Sequence, residues 1–321
     1  MVQDTERRFN ALANRMKPKL KKAFIDAVRD IANTSRFNDL VRALERGDIE
    51  LVVRLLGIEQ EFYKPFENLL VDVFSEGGKY AVESLPKNDP ATGDRFVIRF
   101  GIQDPVAQEW LRQKSSRLIV EITESQREAV REVAARGMSR GDNPQKTAID
   151  IVGRYDRATG RRSGGIVGLT SRDALAVDRL RSRLLEEGKT ASQAEKAAAR
   201  YASKLLRLRG ERIARTETIA ALNAGRMDAM RQAVQSGKLD AQSITKIWIA
   251  TKDGRTRDAH LLLNGKEARF NEPFQSPLTG SLMDYPGDNA RGARGEDIIN
   301  CRCSFRFKVD YIGAQRRREG L

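Results

Sequence analysis

Cysteine and histidine are nearly missing from this 321-residue chain, which has two of the first and one of the second. Two cysteines cannot make a disulfide framework, and so sparse a usage fits a compartment in which thiols stay reduced. No apolar run approaches the roughly 20 residues that span a bilayer, so no membrane segment is expected. The opening MVQDTERRFNALANRMKPKLKK has no apolar centre and no small-residue cleavage site, and no secretory signal is expected there. Repeats of fixed period, zinc-finger spacing, RNP motifs and basic zippers are also missing, which disfavours a regulator that reads DNA bases.

Positive charge is abundant. Lys and Arg number 58 against 44 Asp and Glu, for a net charge of +14. Residues 154–183 hold eight arginines against three aspartates, and 196–215 hold seven basic groups against Glu211. Such a surface attracts polyanions or acidic proteins, and it is equally compatible with solvated helix faces.

Apolar spacing of three and four residues runs through most of the first 240 positions. Phe9, Leu12, Ala13, Met16, Leu20, Ala23, Phe24, Ala27, Val28 and Ile31 share one helical face. Gly47 and Gly57 read as helix stops, Gly77-Gly78 as a break and Gly137 as another stop. Asp104-Pro105 and Asn143-Pro144 read as helix starts, and Thr123/Gln126 and Thr170/Asp173 have capping-box spacing. RFVIRF (95–100) is a short strand candidate. Near residue 240 the pattern changes: TKIWIAT alternates like a strand, a stretch dense in Gly, Pro, Asn and Asp follows, and CRCSFRFKVDYI alternates again. The expected fold class is α+β, a mainly helical body with a small, loop-rich β-containing module at the C-terminal end. The regions expected are an N-terminal helical region (1–86), a turn-rich linker (87–94), a helical domain (95–239), the module (240–312) and a basic tail (313–321).

Three stretches hold residues capable of chemistry. RIARTETIAALNAG (212–225) carries Arg215, Glu217 and Asn223 on a helix. Arg215 and Glu217 are two apart, so they cannot both face one small ligand, and the simpler reading is a core helix whose polar groups tie it to neighbours. DGRTRDAHLLLNG (253–265) holds the single histidine, His260, near Asp253, Asp258, Arg255 and Arg257, after an Asp-Gly turn. DIINCRCSF (297–305) holds Cys301 and Cys303. A disulfide between residues i and i+2 is strained, so redox pairing is excluded. In an extended strand both thiols face the same way, either buried in a core or, with His260 and a carboxylate from Asp253, Asp258 or Asp288, around zinc. A Cys–His–Asp nucleophile is formally available and has no local support.

Taken in order, these stretches resemble the phage Mu F-like family of minor head proteins. The matching elements are Arg215-Thr216-Glu217 with Asn223, then Trp248, Asp253, Arg255-Thr256-Arg257 and His260, then Pro286-Gly287-Asp288, and finally Asn300 to Cys303. The resemblance covers roughly 120–305, and the LLLNGKEARF connection departs from the family's shorter one. It implies a head-morphogenesis protein of the virion, made in the host cytoplasm. Its expected partners are the portal protein, capsid or scaffolding proteins, and double-stranded DNA bound without sequence preference. The resemblance also strengthens the zinc reading. It implies no enzyme, the alternative being a metal-dependent, nuclease-like activity of the His/Asp/Cys cluster. Cysteines fit that alternative poorly, because nucleases gather oxygen ligands around magnesium.

Overall fold

A computed structural model describes residues 2–320; Met1 and Leu321, the outer residues of the expected N-terminal region and basic tail, lie outside the described residues. In chain order the helices are α1 (Val2–Thr34), α2 (Phe37–Glu45), α3 (Ile49–Leu55), α4 (Lys64–Glu83), α5 (Pro105–Ser139), α6 (Pro144–Val152), α7 (Ser171–Glu186), α8 (Ala191–Gln235), α9 (Asp258–Leu263), α10 (Gly295–Ile298) and α11 (Tyr311–Arg318). The strands are β1 (Arg154–Asp156), β2 (Arg161–Ser163), β3 (Ile244–Ile249), β4 (Glu267–Arg269), β5 (Phe274–Gln275), β6 (Leu282–Met283) and β7 (Ser304–Val309). The fold is α+β and mainly helical, with its larger sheet near the C-terminal end. No helix among the described residues is long and apolar enough to cross a membrane.

Two units emerge, interleaved along the chain where the sequence suggested consecutive regions. One comprises residues 1–20, 68–113 and 212–321, the other 21–67 and 114–211. The long helices α1, α4, α5 and α8 each supply residues to both.

In the first unit β3 is the centre of an antiparallel sheet ordered β4-β3-β7, with Trp248 opposite Phe305 and Ile249 opposite Ser304. The hairpin β5-β6 lies beside it in sequence, Phe274 pairing with Met283. Apolar clusters among the described residues hold the unit. Trp248, Ala250, Leu263, Phe274, Met283, Ala293, Cys301 and Cys303 form one. Met230, Ala233, Leu239, Ile244 and Phe270 form another, with Phe96 and Ile98 against it. RFVIRF is therefore not a strand: apart from a bridge between Asn88 and Arg95 it runs irregularly, held by its apolar side chains.

The glycine pair expected to break a helix lies inside α4. A Cβ at Gly77 would stand 2.2 Å from the Leu222 carbonyl oxygen of α8, and one at Gly225 would stand 2.0 Å from that of Phe74. Glycine is there so that α4 and α8 touch backbone to backbone. Gly137 is likewise internal to α5, its Cα facing Thr147, and the stop comes at Gly141, whose φ is +68°.

In the second unit, the expected capping box Thr123/Gln126 is overturned, because α5 runs unbroken through it. Gln126 is a buried tie instead: it accepts from the Tyr63 hydroxyl (2.8 Å) and donates to the Val167 carbonyl (2.8 Å). The other starts behave as expected. Thr170 Oγ1 accepts from the Asp173 amide, Asn143 Oδ1 from that of Gln145. Asp150 pairs with Arg181 in the interior, and Arg181 Nε lies 3.1 Å from Glu195. Burial raises the Asp150 carboxyl to about 6 despite that partner, with Glu195 adding to the rise.

Candidate metal centre in the C-terminal module

Three segments meet at the end of β3. After Ile249 the chain turns through Thr251 and Asp253 into α9, which points His260 inward. The chain returns through α10 and a tight turn into the segment 301–303, then enters β7. Cys301 and Cys303 thus precede the strand that was expected to contain them, though both are buried on one side as alternation requires.

The turn before Cys301 depends on Asn300. With φ at +58° it is the non-glycine residue in the left-handed region among those described. Asn tolerates that conformation better than most side chains. Its amide donates to Thr216 Oγ1 (2.9 Å) and its side-chain oxygen accepts from Arg215 Nη1 (3.4 Å). Asn223, about two turns further along α8, donates from Nδ2 to the carbonyls of Pro286 (2.9 Å) and Cys303 (3.3 Å). The RTE…N stretch is thus a row of fasteners for the loops that follow, and Glu217 is buried among them. The Pro-Gly-Asp turn lies against the same helix: Gly287 (φ +88°) faces Ala220, and buried Asp288 accepts from the amides of Asp284 and Ala290, each at 2.9 Å. Burial lifts the Asp288 carboxyl above its usual range, the two amides opposing.

Arg302, between the two thiols, points the opposite way. It holds Asp253 in a bidentate pair, while its carbonyl accepts from Thr251 Oγ1 (2.8 Å). That pair holds the Asp253 carboxyl far below its ordinary range. Asp253 is therefore spent on Arg302, and Asp258 sits exposed at the start of α9. Neither joins the thiols, which corrects the expectation that one of them completes a ligand set. Asp288, capping its own turn, does not join them either. Arg255 is exposed and 3.6 Å from Asp253, and Arg257 donates to the Ile299 carbonyl.

What the fold does bring together is His260, Cys301 and Cys303, their donor atoms all within 4.8 Å of one another and all three residues buried. Both sulfurs approach the same ring nitrogen: Cys301 Sγ is 3.6 Å and Cys303 Sγ 3.4 Å from His260 Nδ1. On the other side of the ring, Nε2 is 3.5 Å from Asp297 Oδ1. That separation is an electrostatic contact rather than a formed hydrogen bond, and Nε2 has no bonded partner. Trp248 stands edge-on to the imidazole at 5.3 Å. Burial works against the Asp297 charge, yet hydroxyl bonds from Thr279, Ser281 and Ser276, with His260 close by, hold its carboxyl below the usual range. Cys301, buried and hydrogen-bonded to the Cys303 thiol, is pushed up; Cys303 is drawn down by that same hydrogen bond and by His260.

Asp297 and Arg226 escaped the sequence reading. Asp297 opens the very nonapeptide that ends in the thiols, and a carboxylate so near a Cys-x-Cys was the available signal. Arg226 left none. Its guanidinium lies 4.7 Å from the Phe305 ring, 5.1 Å from Phe9 and 5.3 Å from Tyr80, and it donates to the Phe305 carbonyl. Burial pulls it down to about 10.

The arrangement defines a mainly helical protein that ends in a small module fastened by the RTE, D-x-RTR-x-x-H, PGD and NCRC elements. The chain belongs to the Phage Mu protein F like protein family, whose model matches residues 128–306. It is 36% identical over 97 residues to minor head protein GP7 of Bacillus phage SPP1, a stretch covering 30% of this chain and 29% of that one. It is also 36% identical over 112 residues to the NAD(+)–arginine ADP-ribosyltransferase EFV of Enterococcus faecalis, covering 34% of this chain and 20% of that protein. The matched stretches thus span less than a third of these relatives' lengths. No solved structure gives a significant match.

Proposed function

We propose that this protein is a minor head protein of a tailed phage or prophage that acts in head morphogenesis, a structural component of the particle and not an enzyme. The observation that carries the reading is the use to which the family's motif residues are put. Thr216, Asn223, Asn300 and Asp288 spend their polar atoms on the module's own backbone, and Asp253 is clamped by Arg302. Residues used in this way build a shape. The nuclease-like alternative loses its carboxylates, since Asp253 and Asp258 stand apart from the His/Cys cluster. The likeness to the transferase covers a fifth of that protein and transfers no activity to this chain.

In this reading the protein associates with the portal and with capsid or scaffolding proteins in the host cytoplasm and remains in the virion. Its basic surface faces double-stranded DNA during packaging or ejection. The hairpin β1-β2 is the best-placed contact: Arg154, Arg157 and Arg161 are all exposed on it, while Arg162 stacks back on Phe37 at 4.9 Å. Such contact releases counterions and ignores sequence.

The test is a phage or prophage carrying a deletion of the coding sequence, with quantitative mass spectrometry of purified particles. A few copies per wild-type particle, co-purification with the portal, and defective or non-infectious heads in the deletion are expected. Normal, infectious particles that never contained the chain would overturn the proposal.

A further inference from the structure

We propose that His260 Nδ1, Cys301 Sγ and Cys303 Sγ bind one zinc ion, with Asp297 as the residue that positions the imidazole, and that this ion locks α9 to the entrance of β7. For a tetrahedral ion with Zn–S about 2.3 Å and Zn–N about 2.0–2.1 Å, the S···N edge is about 3.5 Å. The two observed separations, 3.6 and 3.4 Å, fall on either side of that edge. Thiol-to-imidazole hydrogen bonding explains the geometry less well. A neutral imidazole nitrogen has one in-plane lone pair, so it accepts well from one thiol, yet both sulfurs converge on it.

Asp297 stands where a zinc-bound histidine needs its other nitrogen held. Metal-ligating histidines donate the remaining ring N–H to a carboxylate or carbonyl, which fixes tautomer and ring plane. Asp297 is 1% exposed, is itself held by Ser276 (3.2 Å) and Thr279, and faces His260 Nε2, which has no bonded partner. Two thiolates and a neutral imidazole neutralise a dication, a tolerable arrangement in an apolar cluster of Trp248, Leu263, Phe274 and Met283, and the Asp297 charge beside it is met by hydroxyl bonds from Ser276 and Thr279. Two soft sulfur donors with one imidazole select zinc over magnesium or calcium.

The consequence is mechanical. His260 is on α9 and Cys301 and Cys303 lead into β7, so one ion ties together two segments 41 residues apart in the chain, with Asp297 in α10 just before the second.

The test uses the full chain purified under reducing conditions without chelator, with elemental analysis and Co(II) titration. About one zinc per chain is expected. Cobalt added to chelator-stripped protein should give thiolate-to-metal charge-transfer absorption and the visible bands of a tetrahedral ion, and zinc should displace them. Cys301→Ser, Cys303→Ser and His260→Ala should abolish stoichiometric binding, while Asp258→Asn should retain it. Asp297→Asn should keep the cobalt spectrum and weaken affinity 10- to 100-fold, the effect expected of a residue acting through the ligand. Folded wild-type protein that holds no zinc and gives no cobalt bands would overturn the proposal, even if the cysteine variants fail to fold. The particle assays above do not bear on this result, so the two proposals fail separately.

Discussion

A single methyl group added at Gly225 separates two opposed expectations. Alanine is the better helix former by about 1 kcal/mol, so propensity alone makes Gly225→Ala stabilising in the middle of α8. The packing says otherwise. The new Cβ would lie 2.0 Å from the Phe74 carbonyl oxygen and 3.0 Å from the Gly78 amide nitrogen, and both obstacles are backbone atoms of α4. No rotamer change relieves such an overlap. The helices must part by about 1 Å, loosening Phe74, Val73 and Leu222, all at most 1% exposed. Overpacking of this kind costs about 1–3 kcal/mol, toward the upper end when backbone is the obstacle. After subtracting propensity, a net loss of about 2 kcal/mol is expected. Chemical denaturation followed by tryptophan fluorescence reads it directly, because Trp110 stacks on Phe74 with ring centroids 5.0 Å apart. Gly210→Ala, on the same helix in the other unit, is the control. There the nearest atoms are side-chain carbons of Phe24 (3.0 Å) and Ile25 (3.4 Å), which can yield, and the change should stay within about 1 kcal/mol of wild type. A Gly225→Ala protein as stable as wild type would refute the backbone-contact reading.

Asn300→Gly should fold nearly normally, whereas Asn300→Ala should lose about 1 kcal/mol or more from its φ of +58° alone, as measured by thermal melting. Equal effects would mean that the left-handed turn is not what selects the residue. Asp150, raised to about 6, holds its proton more tightly folded than unfolded, so its contribution is complete below the unfolded value near 4 and is lost as pH rises through 6. The denaturation midpoint of wild type should therefore fall relative to Asp150→Asn between pH 4 and 6.5, by an amount equivalent to at most about 3 kcal/mol; parallel pH profiles would contradict this. Replacing Arg154, Arg157 and Arg161 together by alanine should lower the slope of log K against log salt for double-stranded DNA by about 3, and an unchanged slope would remove the hairpin from the interface.

Local signals in the chain were sufficient where the cause is local. Asp104-Pro105, Asn143-Pro144 and Thr170/Asp173 mark real helix starts because a cap is a bond between residues two or three apart. Alternation in TKIWIAT marks β3 because its residues pack on opposite faces of one sheet. The order of the RTE, D-x-RTR-x-x-H, PGD and NCRC elements was likewise enough to point to the family.

The errors share a cause. Gly77, Gly78 and Gly137 carry the composition of a break, and Thr123/Gln126 that of a cap, but the glycines and Gln126 each face a partner outside their own helix that makes the residue useful inside it, while Thr123 bonds the Ile119 carbonyl of its own helix. The same holds for the candidate metal centre. The sequence by itself determined its sulfur and imidazole donors, because one histidine and two cysteines left no others to choose. Only the tertiary structure decided which carboxylate attends them. Asp253 is nearest to His260 in sequence among the motif acids and is drawn off by Arg302, while Asp297, 37 residues from His260, is folded against its free nitrogen. Charge pairing and burial act through space, and chain distance carries no record of them.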